Sequence, residues 1–158
     1  MKIVRTFFLS LCLVAGLGAT LTTSAQIQSN ATIRANIPYS FVVNNTTLPA
    51  GTYLITVLDP YAFDLTLLKI RSENGKTTVF FDTERVIGPG LAPRTELVFD
   101  KIGDTYFLSK VFLKGDGGGN QLLKSKMQRR LEENGSIAES HSIPASPTLA
   151  KSSKRAGR

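Results

Sequence analysis

The stretch Thr95–Leu113, TELVFDKIGDTYFLSKVFL, constrains this chain more than any other. It reads as two strands joined by a two-residue turn at Gly103-Asp104, where glycine in the first loop position supplies the positive φ of a type II′ hairpin. With Ile102 and Thr105 closing the turn, the expected partners are Phe99 with Leu108, Val98 with Ser109 and Leu97 with Lys110. One face then carries Leu97, Phe99, Tyr106, Leu108 and Phe112, interspersed with Lys101 and Lys110. The other carries Val98, Ile102, Phe107, Val111 and Leu113. A half-buried strand alternates apolar with polar residues. Both faces are apolar here, so each needs a cover, and the hairpin is expected at the centre of the fold.

The chain opens with the features of a secretory signal. Lys2 and Arg5 form a basic start, Phe7 to Ala19 is apolar and uncharged, and Thr23-Ser24-Ala25 is a small-residue cleavage site. Cleavage after Ala25 leaves a mature chain from Gln26 and predicts a secreted or periplasmic protein. The apolar run is shorter than the roughly 20 residues that span a bilayer, so no transmembrane segment is expected after cleavage. Leu9-Ser10-Leu11 before Cys12 lacks the small residue of a lipidation site, and no twin-arginine pair is present. Cys12 is the only cysteine, so the mature domain has no disulfide, thiolate metal site or cysteine nucleophile. Its core alone must hold it, and Gln26 to Gly135 is long enough for one domain with a single core.

The remaining chain reads as strands. Thr32 to Ile37 alternates, Pro38 interrupts, and Tyr39 to Val43 resumes. Asn44 to Gly51 is turn chemistry. Thr52 to Leu58, Leu65 to Arg71 and Thr77 to Val86 are further strands, the last two joined at Asn74-Gly75. Gly88 to Pro93 is an irregular connection. Beyond the hairpin, Lys114 to Asn120 is expected as a flexible glycine loop. Ser125 and Gln128 form a capping box for a helix over Lys126 to Asn134, with Met127 and Leu131 on one face and Gly135 as its stop. Residues 136–158, rich in Ser, Pro, Ala and basic residues, are expected to be a disordered basic tail. The predicted fold is all-β: about seven antiparallel strands in a sandwich or partly closed barrel, with one short C-terminal helix covering one face of the hairpin.

Three phrases carry a family likeness: Ala35-Asn36-Ile37-Pro38-Tyr39-Ser40-Phe41, Leu48-Pro49-Ala50-Gly51-Thr52-Tyr53, and Glu96-Leu97-Val98-Phe99 followed by Gly103-Asp104-Thr105-Tyr106-Phe107-Leu108-Ser109. In this order behind a signal, they resemble a group of short exported bacterial proteins of the acidobacterial type. The resemblance covers Ile33 to Leu131 and brings no activity, ligand or catalytic residue with it. Phe112 stands where the group would have Trp, and the basic tail departs from its pattern. The phrase Leu-Pro-Ala-Gly-Thr-Tyr is also similar to strand turns in surface-protein sandwiches of the collagen-adhesin B type, though nothing here identifies a Lys–Asn crosslinking pair.

Catalytic chemistry finds little support in these residues. The single histidine, His141, falls in the expected tail, whereas triads and His-based metal sites need a rigidly held ring. Asp59 with Asp64, Asp82 with Glu84, and Asp100 with Asp104 are the carboxylate pairs. Asp82 and Glu84 project from one strand face, unlike acids placed across a cleft. Gly115 to Asn120 matches neither a phosphate loop nor a calcium loop. No cofactor is expected. Four Asn-X-Ser/Thr matches lie in Asn-rich turns, and Leu-Pro-Ala-Gly-Thr is no sortase signal.

Charge points to one partner class. Of the +7 formal charge, Lys2 and Arg5 contribute two and the last eight residues four, so the body between them carries only +1. Lys124, Lys126, Arg129 and Arg130 cluster on and before the helix, and Lys151, Lys154, Arg155 and Arg158 end the tail. Together they are candidate contacts for a polyanion or an anionic membrane surface. Nucleic acid is disfavoured, because no aromatic residues are interleaved for base stacking. The sequence therefore predicts an exported, non-catalytic β-domain acting in binding or as a structural envelope component. The alternatives are a barrel-like carrier of a small apolar ligand and polyanion attachment through the helix and tail.

Overall fold

The computed structural model of the chain describes residues 31–58, 65–88 and 90–148. The expected signal segment, Asp59 and Asp64, and the four basic residues of the extreme tail lie outside them. The described residues are mostly β, as expected, with eleven strands in one mixed sheet and a single helix.

Alternation makes the first strands. In β1 (Thr32–Ile37), Ile33, Ala35 and Ile37 are buried while Arg34 and Asn36 face solvent. Pro38 ends it, having no N–H to donate. The segment expected to run from Tyr39 shortens to β2 (Phe41–Val43), and Asn44, with φ 57, turns it into β3 (Thr46–Leu48). β4 (Gly51–Val57) buries Tyr53, Ile55 and Val57. β5 (Leu65–Ser72) and β6 (Thr78–Ile87) continue the antiparallel meander. Their hairpin loop carries Gly75 at φ 72, as Asn74-Gly75 predicts.

The hairpin forms from β7 (Glu96–Ile102) and β8 (Thr105–Phe112), with Gly103 at φ 60 in the turn. Phe99 faces Leu108 as expected, but the register then shifts. Val98 pairs with Lys110 and Leu97 with Val111, leaving Ser109 as the extra residue of a β-bulge. The bulge moves Val111 onto the face of Leu97, Phe99 and Leu108, where all four belong to the main core. It lies where β8 changes neighbours. Before it, Phe41 and Val42 of β2 pair with Tyr106 and Phe107; after it, Lys110 to Phe112 pair with β9 (Gly118–Leu122). The β2–β8 ladder is parallel, which corrects the expectation of a wholly antiparallel sheet.

β9 is a second correction, because its first three residues belong to the expected flexible loop. Gly118, Gly119 and Asn120 are all buried. A side chain at Gly118 would strike the Val86 carbonyl oxygen, and one at Gly119 would lie 2.6 Å from the Phe112 ring. Glycine here permits close packing of neighbouring strands and not floppiness.

The helix α1 (Lys126–Glu133) ends one residue earlier than expected. Leu131 packs on Val42, Ile102 and Phe107, so the helix covers the second hairpin face as predicted. Met127 is half exposed and takes no part in that contact. At its end, Gly135 N–H donates to the Glu132 carbonyl at 2.9 Å and Ser136 N–H to that of Leu131 at 3.1 Å, the paired bonds of a Schellman cap.

The third correction concerns the expected tail. Residues 139–147 form β10 (Glu139–Pro144), antiparallel to β7, and β11 (Ser146–Pro147), antiparallel to β1. The path through the sheet is β10-β7-β8-β9-β6-β5-β4-β1-β11, so one continuous segment pairs with both of its ends. Inward residues of all nine strands from β1 to β9 share one core.

Candidate functional site

Four of the eight predicted basic contacts fall among the described residues. Ser125 caps the helix through Oγ, which accepts from Gln128 N–H at 3.0 Å. The reciprocal half of the capping box is absent: the Gln128 side chain donates instead to Asp100 Oδ2 at 3.2 Å, tying helix to hairpin. Lys124 is engaged by Glu132 at 2.7 Å, and Arg129 donates to the Lys124 carbonyl at 2.6 Å. Lys126 and Arg130 are exposed and, among the described residues, without an ion pair. Spaced four apart, they share a helix face; Leu123, before the helix, and Met127, on it, are each half exposed. The patch is thus smaller than the charge count suggests.

A concave site lies elsewhere. β6 leaves the sheet at Ile87, and the returning connection is stitched to the 113–117 turn by three backbone bonds. Gly88 N–H donates to the Gly117 carbonyl at 3.0 Å, Ala92 N–H to that of Asp116 at 2.8 Å, and Gly115 N–H to that of Ala92 at 2.9 Å. Beneath the connection is a cleft of about 380 Å³, with Phe112, Leu91 and Pro93 as apolar lining. Leu91 is 72 % exposed beside it. Glu96 and Asp116 also line it, from separate elements. Glu96 accepts from Arg94 Nε at 2.7 Å, and Asp116 is paired with Arg85. The remaining carboxylate lone pairs can accept hydrogen bonds from hydroxyl or ammonium donors.

A second cleft, of about 490 Å³, separates Pro49–Tyr53 from the Ser72–Thr77 turn. Its walls are more polar. Arg34 grips Glu73 at 3.0 and 3.1 Å, and Tyr53 donates to the Pro49 carbonyl at 2.7 Å. Burial holds the Tyr53 phenol above its ordinary pKa.

His141 is not in a loose tail. It lies in β10 opposite Phe99, edge-on to Tyr106 at 5.5 Å and 3.7 Å from Glu139. Tyr39 stacks on Tyr106 at 3.6 Å. Asp82 and Glu84 are exposed on β6, Asp100 bonds Gln128, and Asp104 is in the hairpin turn. Among the described residues, no three His, Cys, Asp or Glu side chains are placed to hold a metal ion, and no helix is long and apolar enough to cross a membrane.

The Glu96–Asp116 cleft was not foreseen from sequence. Asp116 reads as part of a glycine loop, and Gly88 to Pro93 reads only as an irregular connection. Compared with protein-family models, curated proteins and solved structures, the chain matches none.

Proposed function

We propose that the chain is an exported, non-catalytic binding domain whose ligand seat is the cleft between Leu91 and Phe112. The observation that carries this reading is the juxtaposition of an exposed leucine and an aromatic floor with two carboxylates, in a space of about 380 Å³. Small-molecule sites have this make-up: apolar walls and a few placed polar groups. The fitting ligand has an apolar face and one or two hydroxyl or ammonium donors. Export rests on the basic, apolar and small-residue order of the first 25 residues.

The barrel-like form of the fold is supported by the segment that pairs with both sheet ends. A ligand inside it is disfavoured, since Tyr53, Phe41, Phe99, Leu97 and Ile55 fill the interior with almost no exposure. The carrier idea therefore moves to the surface cleft. Native mass spectrometry of the chain purified from its source tests it. The expected result is a retained small-molecule mass that Leu91→Ser removes while the fold persists. A bare polypeptide mass, or a retained mass indifferent to Leu91→Ser, contradicts it.

A second reading, attachment to an anionic surface, is favoured by Lys126 and Arg130, which have no ion pair among the described residues, and by the half-exposed Leu123 and Met127. Salt-sensitive retention on anionic vesicles that Lys126→Glu with Arg130→Glu abolishes would support it; unchanged retention would dispose of it.

A further inference from the structure

The two ends of the sheet are tied by its least buried segment. No residue from Glu139 to Thr148 is buried, whereas each strand from β1 to β9 contains at least one that is. The segment, here called the strap, is held by its ladders to β7 and β1. Two further backbone bonds hold it, Ala145 N–H to the Thr95 carbonyl at 3.0 Å and Thr148 N–H to that of Thr32 at 2.7 Å. Side chains add the partial burial of Ile143 and Ala145 against the core and of His141 against Tyr106. The glycine that caps the helix precedes it: Gly135 has φ 85, and Ile137 beyond it is 86 % exposed.

Lifting the strap would uncover two edges at once, those of β7 and β1, each a row of unpaired N–H and C=O groups. The structure shows what fits there. In register, Glu139 lies opposite Lys101, Ile143 opposite Leu97, and Ala145 marks the passage from one end of the sheet to the other. We infer that the strap exchanges between two copies of this chain, each inserting its own Glu139–Thr148 segment across β7 and β1 of the other. A second copy reproduces every one of these contacts, which an unrelated strand does not. The resulting dimer is symmetric and closed. The outer edge of the strap carries Pro144 and Pro147, which blunt it against open-ended strand addition. Tethering gives the chain's own strap a high effective concentration, so exchange grows with protein concentration.

Two single-cysteine chains test this, since the mature sequence has no cysteine of its own. Val98 and Ser142 are partners in the β7–β10 ladder, within the reach of a disulfide. V98C and S142C, each prepared as the full mature chain, are mixed at high concentration and oxidised. The expected product is a V98C–S142C crosslinked dimer in large excess over either homodimer. The double variant V98C/S142C, locked within one chain, should stay monomeric by light scattering where the unmodified chain dimerises. K101C and E139C, another partnered pair nearer the turn, repeat the test should V98C fail to fold. No heterodimer above the homodimer background, or dimerisation undiminished in the locked variant, overturns the inference.

Discussion

Two buried polar atoms, the Tyr39 hydroxyl and the Asn120 amide oxygen, have no hydrogen-bond partner among the described residues. Asn120 is 3 % exposed and sits between Val111 and Arg85 in its ladders, so its amide oxygen is desolvated without compensation. Such a group costs about 1–3 kcal/mol. Asn120→Leu, close in volume, should therefore raise stability by about 1 kcal/mol in urea denaturation; a loss would show that the amide has a partner. Tyr39 bears on pH. Burial, then the neighbouring Tyr106, pushes its pKa up to about 12. The unfolded chain loses that proton near pH 10, so between the two values the folded state holds more protons. Stability from this group is complete below pH 10 and falls as pH rises towards 12. Tyr39→Phe should flatten that alkaline decline, as read from urea midpoints against pH. An unchanged slope would place the ionisation elsewhere.

At the scale of elements, local signals were legible and long-range ones were not. β1 could be bounded from its alternation, and the turns at Asn74-Gly75 and Gly103-Asp104 from glycine alone. The Ser125 cap was likewise local. Ser109 carries no mark of a bulge, because the bulge answers to β8 exchanging β2 for β9 as neighbour. β9 lacks any pattern: glycines have no side chain to alternate, and its pairing is fixed by what Val86 and Phe112 leave room for. Gly119→Ala should thus cost about 2 kcal/mol through crowding of the Phe112 ring, with Phe112→Leu recovering part of it in the double variant. Additive losses would mean the ring is not the obstacle. The strap was missed for a related reason. Glu-Ser-His-Ser-Ile-Pro has little strand propensity, and it is extended because β7 offers an edge.

For the whole molecule, an all-β chain with a central hairpin and a covering helix could be read in advance, because both depend on runs of apolar residues close in sequence. The count of strands, the parallel β2–β8 pair and the Glu96–Asp116 cleft could not. Each joins residues far apart in the chain, and none leaves a periodic trace. The central claim is one sheet, organised on β7 and β8 and tied at both ends by a weakly anchored strap. Native-state hydrogen exchange, resolved by residue, tests it most directly. Amides of β7 and β8 that bond inside the hairpin should exchange only through global unfolding, with a free energy equal to that from denaturation. Amides of Glu139–Thr148 should exchange through a local opening of much lower free energy. Equal protection of strap and hairpin, or a hairpin that opens before the rest, would contradict it.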